Sequence, residues 1–220
     1  MHQYRMELIA ASVVVTLSIT YLLRSRAPLL PLPIELLRKL AVVYLAVFKQ
    51  FHAIHADRIP DRGPLILVAN HTAVYDPVCL QVACKHRLIR FMEAREYYNV
   101  PILHTLFHMM RVIPVNRTGN DTASIREAVR ELSKGGCIGI FPEGKISTDG
   151  QIHRARQGVA LLALMSNAVV VPGFFQGTRP FSGMIRDFFQ FTHVTLHSGR
   201  LFTLTISRAI IGTKRLATWP

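Results

Sequence analysis

The chain has 220 residues, enough for one good core and an appendage. Its 26 basic side chains, 20 of them arginine, outnumber 13 acidic ones and give a formal charge of +13 on a chain that is 50% hydrophobic with a mean hydropathy of +0.28. That balance, with no dense run of lysine and arginine, argues against a nucleic-acid binder and for a partner with an anionic membrane surface, where arginine can grip phosphate with two parallel hydrogen bonds.

Residues 8–23 carry no charge and would rise roughly 24 Å as a helix, close to the thickness of a bilayer core. Arg5 and Glu7 before this stretch and Arg24, Ser25 and Arg26 after it suit an uncleaved transmembrane anchor better than a signal peptide. Arg5 on one side stands against Arg24, Arg26, Arg38 and Lys39 on the other, which puts the bulk of the chain on the cytoplasmic face of the cell (plasma or inner) membrane. Prolines 28, 31 and 33 interrupt the helix, and residues 34–52 resume a helical pattern with an apolar middle flanked by Arg38, Lys39 and Lys49, as in a helix lying in the interface. Residues 1–58 are therefore expected to anchor the chain, and residues 59–220 to form its main domain.

From residue 59 the texture changes. Apolar runs at 65–69, 88–92, 112–115, 137–141 and 168–175 are short enough for strands and alternate with helical patterns at 78–87, 101–110, 121–134 and 156–165. Gly135-Gly136 closes the third helix as a C-terminal cap. The alternation predicts an α/β fold, a central sheet flanked by helices. Beyond residue 181 the signal weakens; residues 191–196 and 201–207 read as further strands, and residues 188–220 hold Arg200, Arg208, Lys214 and Arg215 but no acid, a solvated surface weakly attracted to membranes. Cys79, Cys84 and Cys137 have neither metal-ligand spacing nor an even count, so they are expected to be reduced, buried and inert. His104 and His108 share a helix face, but no histidine pair has the glutamate placement of a zinc protease, and no metal is expected.

Three polar clusters follow strands directly: Asn70-His71, Asn116-Arg117 and Pro142-Glu143-Gly144-Lys145. In an open α/β sheet the carboxyl ends of the strands share an edge where ligands bind, so the clusters should converge. Five positions apart, His71 and Asp76 would face apart on a regular helix, but Pro77 forbids helix just before itself and favours a helix start, with Asp76 as an expected N-cap. A loop carrying His71 can then fold back so that the carboxylate orients the imidazole, the arrangement of a general base that takes a proton from a hydroxyl.

The chain resembles the glycerolipid acyltransferases of the PlsC, or lysophosphatidate acyltransferase, family. Four ordered blocks carry the resemblance: Asn70-His71 with Asp76-Pro77, Val112-Ile113-Pro114-Val115-Asn116-Arg117, Phe141-Pro142-Glu143-Gly144, and Val169-Val170-Val171-Pro172. The resemblance implies a membrane-bound enzyme, with a two-helix N-terminal motif, that moves a fatty acyl group from acyl-CoA or acyl carrier protein to the hydroxyl of 1-acylglycerol 3-phosphate in phospholipid biosynthesis. It implies His71 as catalytic base and Asp76 as its partner, with Asn70, Arg117, Glu143, Gly144 and Lys145 shaping the site and holding the acceptor's phosphate. It implies no cofactor beyond the acyl donor, and membrane lipids rather than nucleic acid as partners.

Four positions depart from the family pattern. Lys145-Ile146 stand where phosphatidate-forming members carry threonine and arginine, Ala73 replaces a serine or threonine, and Arg111 replaces a glycine. The Phe-Pro-Glu-Gly-basic-Ile-Ser form also resembles acyltransferases acting on lysophosphatidylethanolamine and related lysolipids. A basic membrane-surface protein that keeps the fold without turnover is the non-enzymatic alternative.

Overall fold

A computed structural model describes residues 30–117, 121–179, 181 and 183–204, together with residues 13, 16 and 20. The expected anchor at 8–23 lies outside the described residues apart from Val13, Thr16 and Thr20, which are helical. Among the described residues no helix is long and apolar enough to cross a membrane.

The first described helix, α1, is Leu32–Tyr44, entered through Pro31 and Pro33 and continued by a π-helical turn, Leu45–Lys49. It stops short of the expected residue 52 because Gln50 takes a left-handed conformation (φ 39°), freeing His52–Ile54 to form strand β1 within the sheet. The following elements are β2 (Leu65–Ala69), α2 (Asp76–Ala83), β3 (Ile89–Ala94), α3 (Pro101–Met109), β4 (Ile113–Val115), α4 (Thr122–Ser133), β5 (Cys137–Ile140), α5 (Gly158–Ser166), β6 (Val169–Gln176), α6 (Met184–Phe189), β7 (Thr195–Ser198) and β8 (Phe202–Thr203). The sheet order is β1-β7-β6-β2-β5-β3-β4, with β8 on β6. Strands β6, β2, β5, β3 and β4 run parallel, whereas β6 meets β7 and β8 antiparallel.

Strand β2 is apolar at both parities because both its faces are covered. Leu65, Leu67 and Ala69 join Cys79, Leu80 and Ala83 of α2 in one core, while Ile66 joins Ala128 and Leu132 of α4 and Leu162 and Ala163 of α5 in the other. All three cysteines lie buried and free. Helix α2 ends before the expected residue 87, where Arg87 is drawn out of the helical path to donate to the carbonyls of Pro60, Gly63 and Gly135 at 3.1, 2.7 and 2.6 Å. Helix α4 is capped by Asp121, whose side chain accepts from Ser124 N, and Arg90 of β3 ties it to the sheet through Glu127 and Glu131. Of the two expected tail strands, β7 overlaps the end of the first and runs two residues past it, and β8 takes two of the four described residues of the second.

Candidate active site

Strands β2 and β5 are hydrogen-bonded neighbours, with Leu65 and Ile66 opposite Cys137 and Ile138, so the loops that leave their carboxyl ends emerge side by side. His71 leaves β2 two residues past its end, and its ring stacks on Phe141, the first residue after β5, with centroids 4.0 Å apart. Phe91 of β3 also stacks on Phe141, at 6.0 Å, so β3 and the residues just past β2 and β5 each contribute one ring at the site.

His71 Nδ1 lies 3.0 Å from Asp76 Oδ2. The same carboxylate oxygen accepts the backbone N–H groups of Thr72 and Ala73, each at 2.8 Å. Asp76 is thus not the cap that its place before a helix suggests: Tyr75 holds the cap position, and the Asp76 side chain turns back to close the five-residue loop onto itself. The carboxylate is fully buried and its Oδ1 has no partner among the described residues. Burial pushes the Asp76 carboxyl above the ordinary range, and the hydrogen bonds from His71, Ala73 and Thr72 pull it back. When Nδ1 carries the proton donated to Asp76, Nε2 has a free lone pair, which is what base chemistry on a hydroxyl requires.

Glu143 is buried beside this loop and works through both oxygens. Oε1 accepts the backbone N–H of His71 at 3.2 Å, and Oε2 accepts that of His153 at 3.3 Å, while Ser147 N donates to the His71 carbonyl at 2.7 Å. Both backbone groups of His71 are therefore fixed by the segment after β5. Asn70 is held as firmly on the other side: its Oδ1 accepts Phe175 N at 2.7 Å and its Nδ2 donates to Phe175 O at 3.3 Å, which clamps the loop to β6. Thr72 Oγ1 meets Thr178 Oγ1 just beyond the same strand.

Gly144 takes φ +70°, and a Cβ there would fall 2.9 Å from Arg156 Nε. The positive φ favours glycine in the turn, and the absence of a side chain leaves room for Arg156 to lie against it. Lys145 is exposed, and the guanidinium beside the turn belongs to Arg156, eleven residues beyond Lys145, whose backbone N–H donates to the Pro142 carbonyl at 2.9 Å. Arg156 is thus a basic group that the motif itself does not reveal.

Arg117 stands farther out, after β4, three strand spacings from β2 or about 14 Å. It lies over the Tyr97 ring at 5.7 Å, and the turn before it is fixed by Asn116 N donating to Asp121 Oδ2 at 2.6 Å. A cavity of about 360 Å³ opens there, lined by Arg95, Glu96, Asn99, Asn116 and Arg117. Between the two ends runs β3, and its Glu93 faces both His71 and Arg117 electrostatically; burial raises its pKa above the usual carboxylate value, with His71 and Arg117 opposing. Glu93 shares a strand face with Phe91, a parity signal that could have pointed to it. Farther along, His104 and His108 do share one face of α3, with rings 4.5 Å apart beside Tyr98. No cluster of three or more metal-ligating side chains occurs among the described residues.

The fold is that of a solved glycerolipid enzyme. The crystal structure of the 1-acyl-sn-glycerophosphate acyltransferase PlsC from Thermotoga maritima superposes with a TM-score of 0.62 over 92% of this chain and 87% of that one, at 18% identity. Residues 51–176 match the sequence profile of the family described as Acyltransferase, and the chain belongs to that family. Among its relatives, the 1-acyl-sn-glycerol-3-phosphate acyltransferase of Borreliella burgdorferi is 29% identical over 57% of this chain and 51% of its own length, and that of Bacillus subtilis is 27% identical over 58% and 62%. The matched part of the chain thus spans little more than half of these relatives.

Proposed function

We propose that this chain is a membrane-associated glycerolipid O-acyltransferase that moves a fatty acyl group from a thioester carrier, acyl-CoA or acyl carrier protein, to the free hydroxyl of 1-acylglycerol 3-phosphate. The observation that carries the reading is the closed His71–Asp76 loop, 3.0 Å from ring nitrogen to carboxylate, at the carboxyl edge of the central strands. His71 Nε2 takes the proton as the acceptor oxygen attacks the thioester carbonyl, and Asp76 stabilises the imidazolium that forms. The tetrahedral intermediate collapses, the C–S bond breaks, and the proton passes from His71 to the departing thiolate. The thioester is already activated, so positioning plus base catalysis suffice without a covalent enzyme intermediate.

In this reading Asn70 and Glu143 position the loop rather than touch substrate, because their polar atoms are committed to backbone. Arg117 and Arg95 receive the acceptor's phosphate at the outer cavity, and Arg156 with Lys145 supplies the charge near Gly144 that family members place in the motif. Residues 8–23 and α1 serve as the membrane-attached part, with the site on the cytoplasmic face.

Glu93 favours a second acceptor reading. A carboxylate on the strand between His71 and Arg117 would repel an anionic headgroup and attract the ammonium of lysophosphatidylethanolamine.

The test is thiol release from acyl-CoA by membranes holding wild type or His71→Ala, offered lysophosphatidic acid and lysophosphatidylethanolamine separately. Release that needs both His71 and lysophosphatidic acid is expected. Preference for the ethanolamine lipid would promote the second acceptor. Release by His71→Ala at the wild-type rate would remove the base assignment; absence of release with either lipid calls for the same assay with acyl carrier protein as donor, and absence there too would return the chain to a non-catalytic membrane protein.

A further inference from the structure

One surface of the molecule has no part in the His71 loop. Helix α1 and the π-helical turn that continues it point Ile34, Arg38, Leu45 and Lys49 inward, where they are buried, and leave Leu32, Leu36 and Leu40 of α1 exposed at i, i+4 spacing. Beyond Leu40 the same side of the helix meets α6: Tyr44 stacks on Phe188 at 4.3 Å, and Phe48 packs against Phe189 and Phe191 at 5.9 and 5.1 Å. Outward from that seam, Ile185 is 77% exposed, Phe189 59% and Phe191 65%. Large apolar side chains this open, side by side on six residues of helix and the turn after it, are unusual for a face that meets only water.

The ridge is held rigidly. A six-residue helix is too short to persist by itself. Lys49, fully buried, donates from Nζ to the carbonyls of Asp187 and Gln190 at 2.7 and 2.6 Å and sits 4.2 Å over the Tyr75 ring, while Tyr44 Oη donates to the Phe188 carbonyl at 2.7 Å. Tyr44 at the end of α1 and Lys49 in the turn after it thus fasten the backbone of α6 and its last turn, and the same ammonium reaches the residue next to Asp76. The charges complete the pattern. Glu35 is taken by Arg38 at 2.7 Å and Asp187 is buried, whereas Arg186 is exposed in the middle of the ridge and Lys39 is half-exposed on α1. An apolar ridge with basic side chains and, among the described residues, no outward carboxylate complements an anionic lipid surface.

We propose that α6 with Phe191 is a second membrane-docking foot, inserting Ile185, Phe189 and Phe191 into the interfacial layer of an anionic bilayer beside α1. The proposal rests on the membrane-associated reading above and adds that attachment is not confined to the N-terminal segment. Because Lys49 joins α1, α6 and the Tyr75–Asp76 turn, the bilayer plane and the catalytic loop share one rigid frame, which fixes the height at which a lipid hydroxyl meets His71.

The experiment places a polarity-sensitive fluorophore on Ile185→Cys in the full chain; Cys79, Cys84 and Cys137 are buried, so the label goes to the new thiol. Arg126→Cys, on an exposed position of α4, is the control. With vesicles of phosphatidylglycerol and phosphatidylcholine, the emission at 185 should shift to the blue, nitroxide-labelled acyl chains should quench it, and iodide should lose most of its access. Position 126 should show none of this, and phosphatidylcholine vesicles alone should give a smaller response. If the chain floats with vesicles while iodide still reaches 185, the second foot is overturned and N-terminal attachment stands. If the chain does not float with either vesicle, the membrane reading falls with it. Protection at 185 that grows with protein concentration in the absence of vesicles would instead assign the ridge to a second copy of the chain.

Discussion

The two ends of the strand edge are built on opposite terms. At the β2–β5 end, His71 and Glu143 are buried, both backbone groups of His71 have partners, and three donors converge on one oxygen of Asp76. At the β4 end, Arg117 and Arg95 are exposed around an open cavity, and Arg117 rests on the aromatic face of Tyr97, with no carboxylate ion pair among the described residues. On the proposed function, the difference is a division of labour: proton transfer is sensitive to tenths of an ångström and would use the locked groups, whereas headgroup recognition tolerates variation and would use exposed arginines that a phosphate can order.

That contrast predicts different kinetic signatures at the two ends. Asp76→Asn keeps the size of the side chain but removes the negative charge facing His71, so kcat should fall by roughly 10²–10⁴ with little change in acceptor KM. A loss confined to KM would mean that Asp76 only closes the loop. Arg117→Ala should do the reverse, raising acceptor KM by roughly tenfold, equivalent to one charge-assisted contact, with kcat nearly unchanged. Arg117→Lys should recover only part of the loss, since lysine lacks the planar fork. Equal falls in kcat for both ends would erase the distinction.

Glu93 lies between the two ends, and its test is stability against pH. Burial raises its pKa in the folded chain above the unfolded value, so its favourable contribution is present below the ordinary carboxylate range and is lost as pH rises through the raised value. Glu93→Gln escapes that loss. In urea titrations the variant should be more stable than wild type at neutral pH, and the gap should close as pH falls toward about 4. A gap that widens on acidification would show that His71 and Arg117 hold Glu93 as a stabilising anion instead.

The sequence made parts of this contrast legible and hid others. Strand β2 and the polar triplet of clusters were readable because a doubly covered parallel strand is apolar throughout and its ligand edge begins where the polarity does. The His71–Asp76 closure was readable through Pro77, which limits the backbone just before it. Arg156 was hidden because its guanidinium reaches Gly144 across a loop, and loop paths leave no period in sequence. Helix α6 was hidden because six residues give less than two helical turns of pattern, and Lys49 because a lysine at a helix end reads as solvated until the two carbonyls it satisfies are placed beside it. The cap expected at Asp76 failed for a related reason: a carboxylate at a helix start has two competing sets of amides, and here the loop's own N–H groups won.

The smallest effect concerns Arg111, where the family pattern has glycine. The residue adopts φ +52° between α3 and β4, a left-handed conformation that burdens any side chain with a Cβ by roughly 1–2 kcal/mol. Its side chain is exposed, and its contribution to the sheet comes through the backbone: the carbonyl accepts Arg90 Nε at 2.6 Å, and the N–H donates to the His108 carbonyl at 3.1 Å. Glycine would keep both bonds and remove the strain, at the expense of about 0.4–1 kcal/mol from the greater freedom of the unfolded chain. Arg111→Gly should therefore raise stability by about 0.5 kcal/mol in urea titrations and leave the kinetics of both site ends unchanged. A rise in acceptor KM would instead assign the Arg111 guanidinium to the same anion-receiving edge as Arg117, and would make the departure from glycine a feature of recognition.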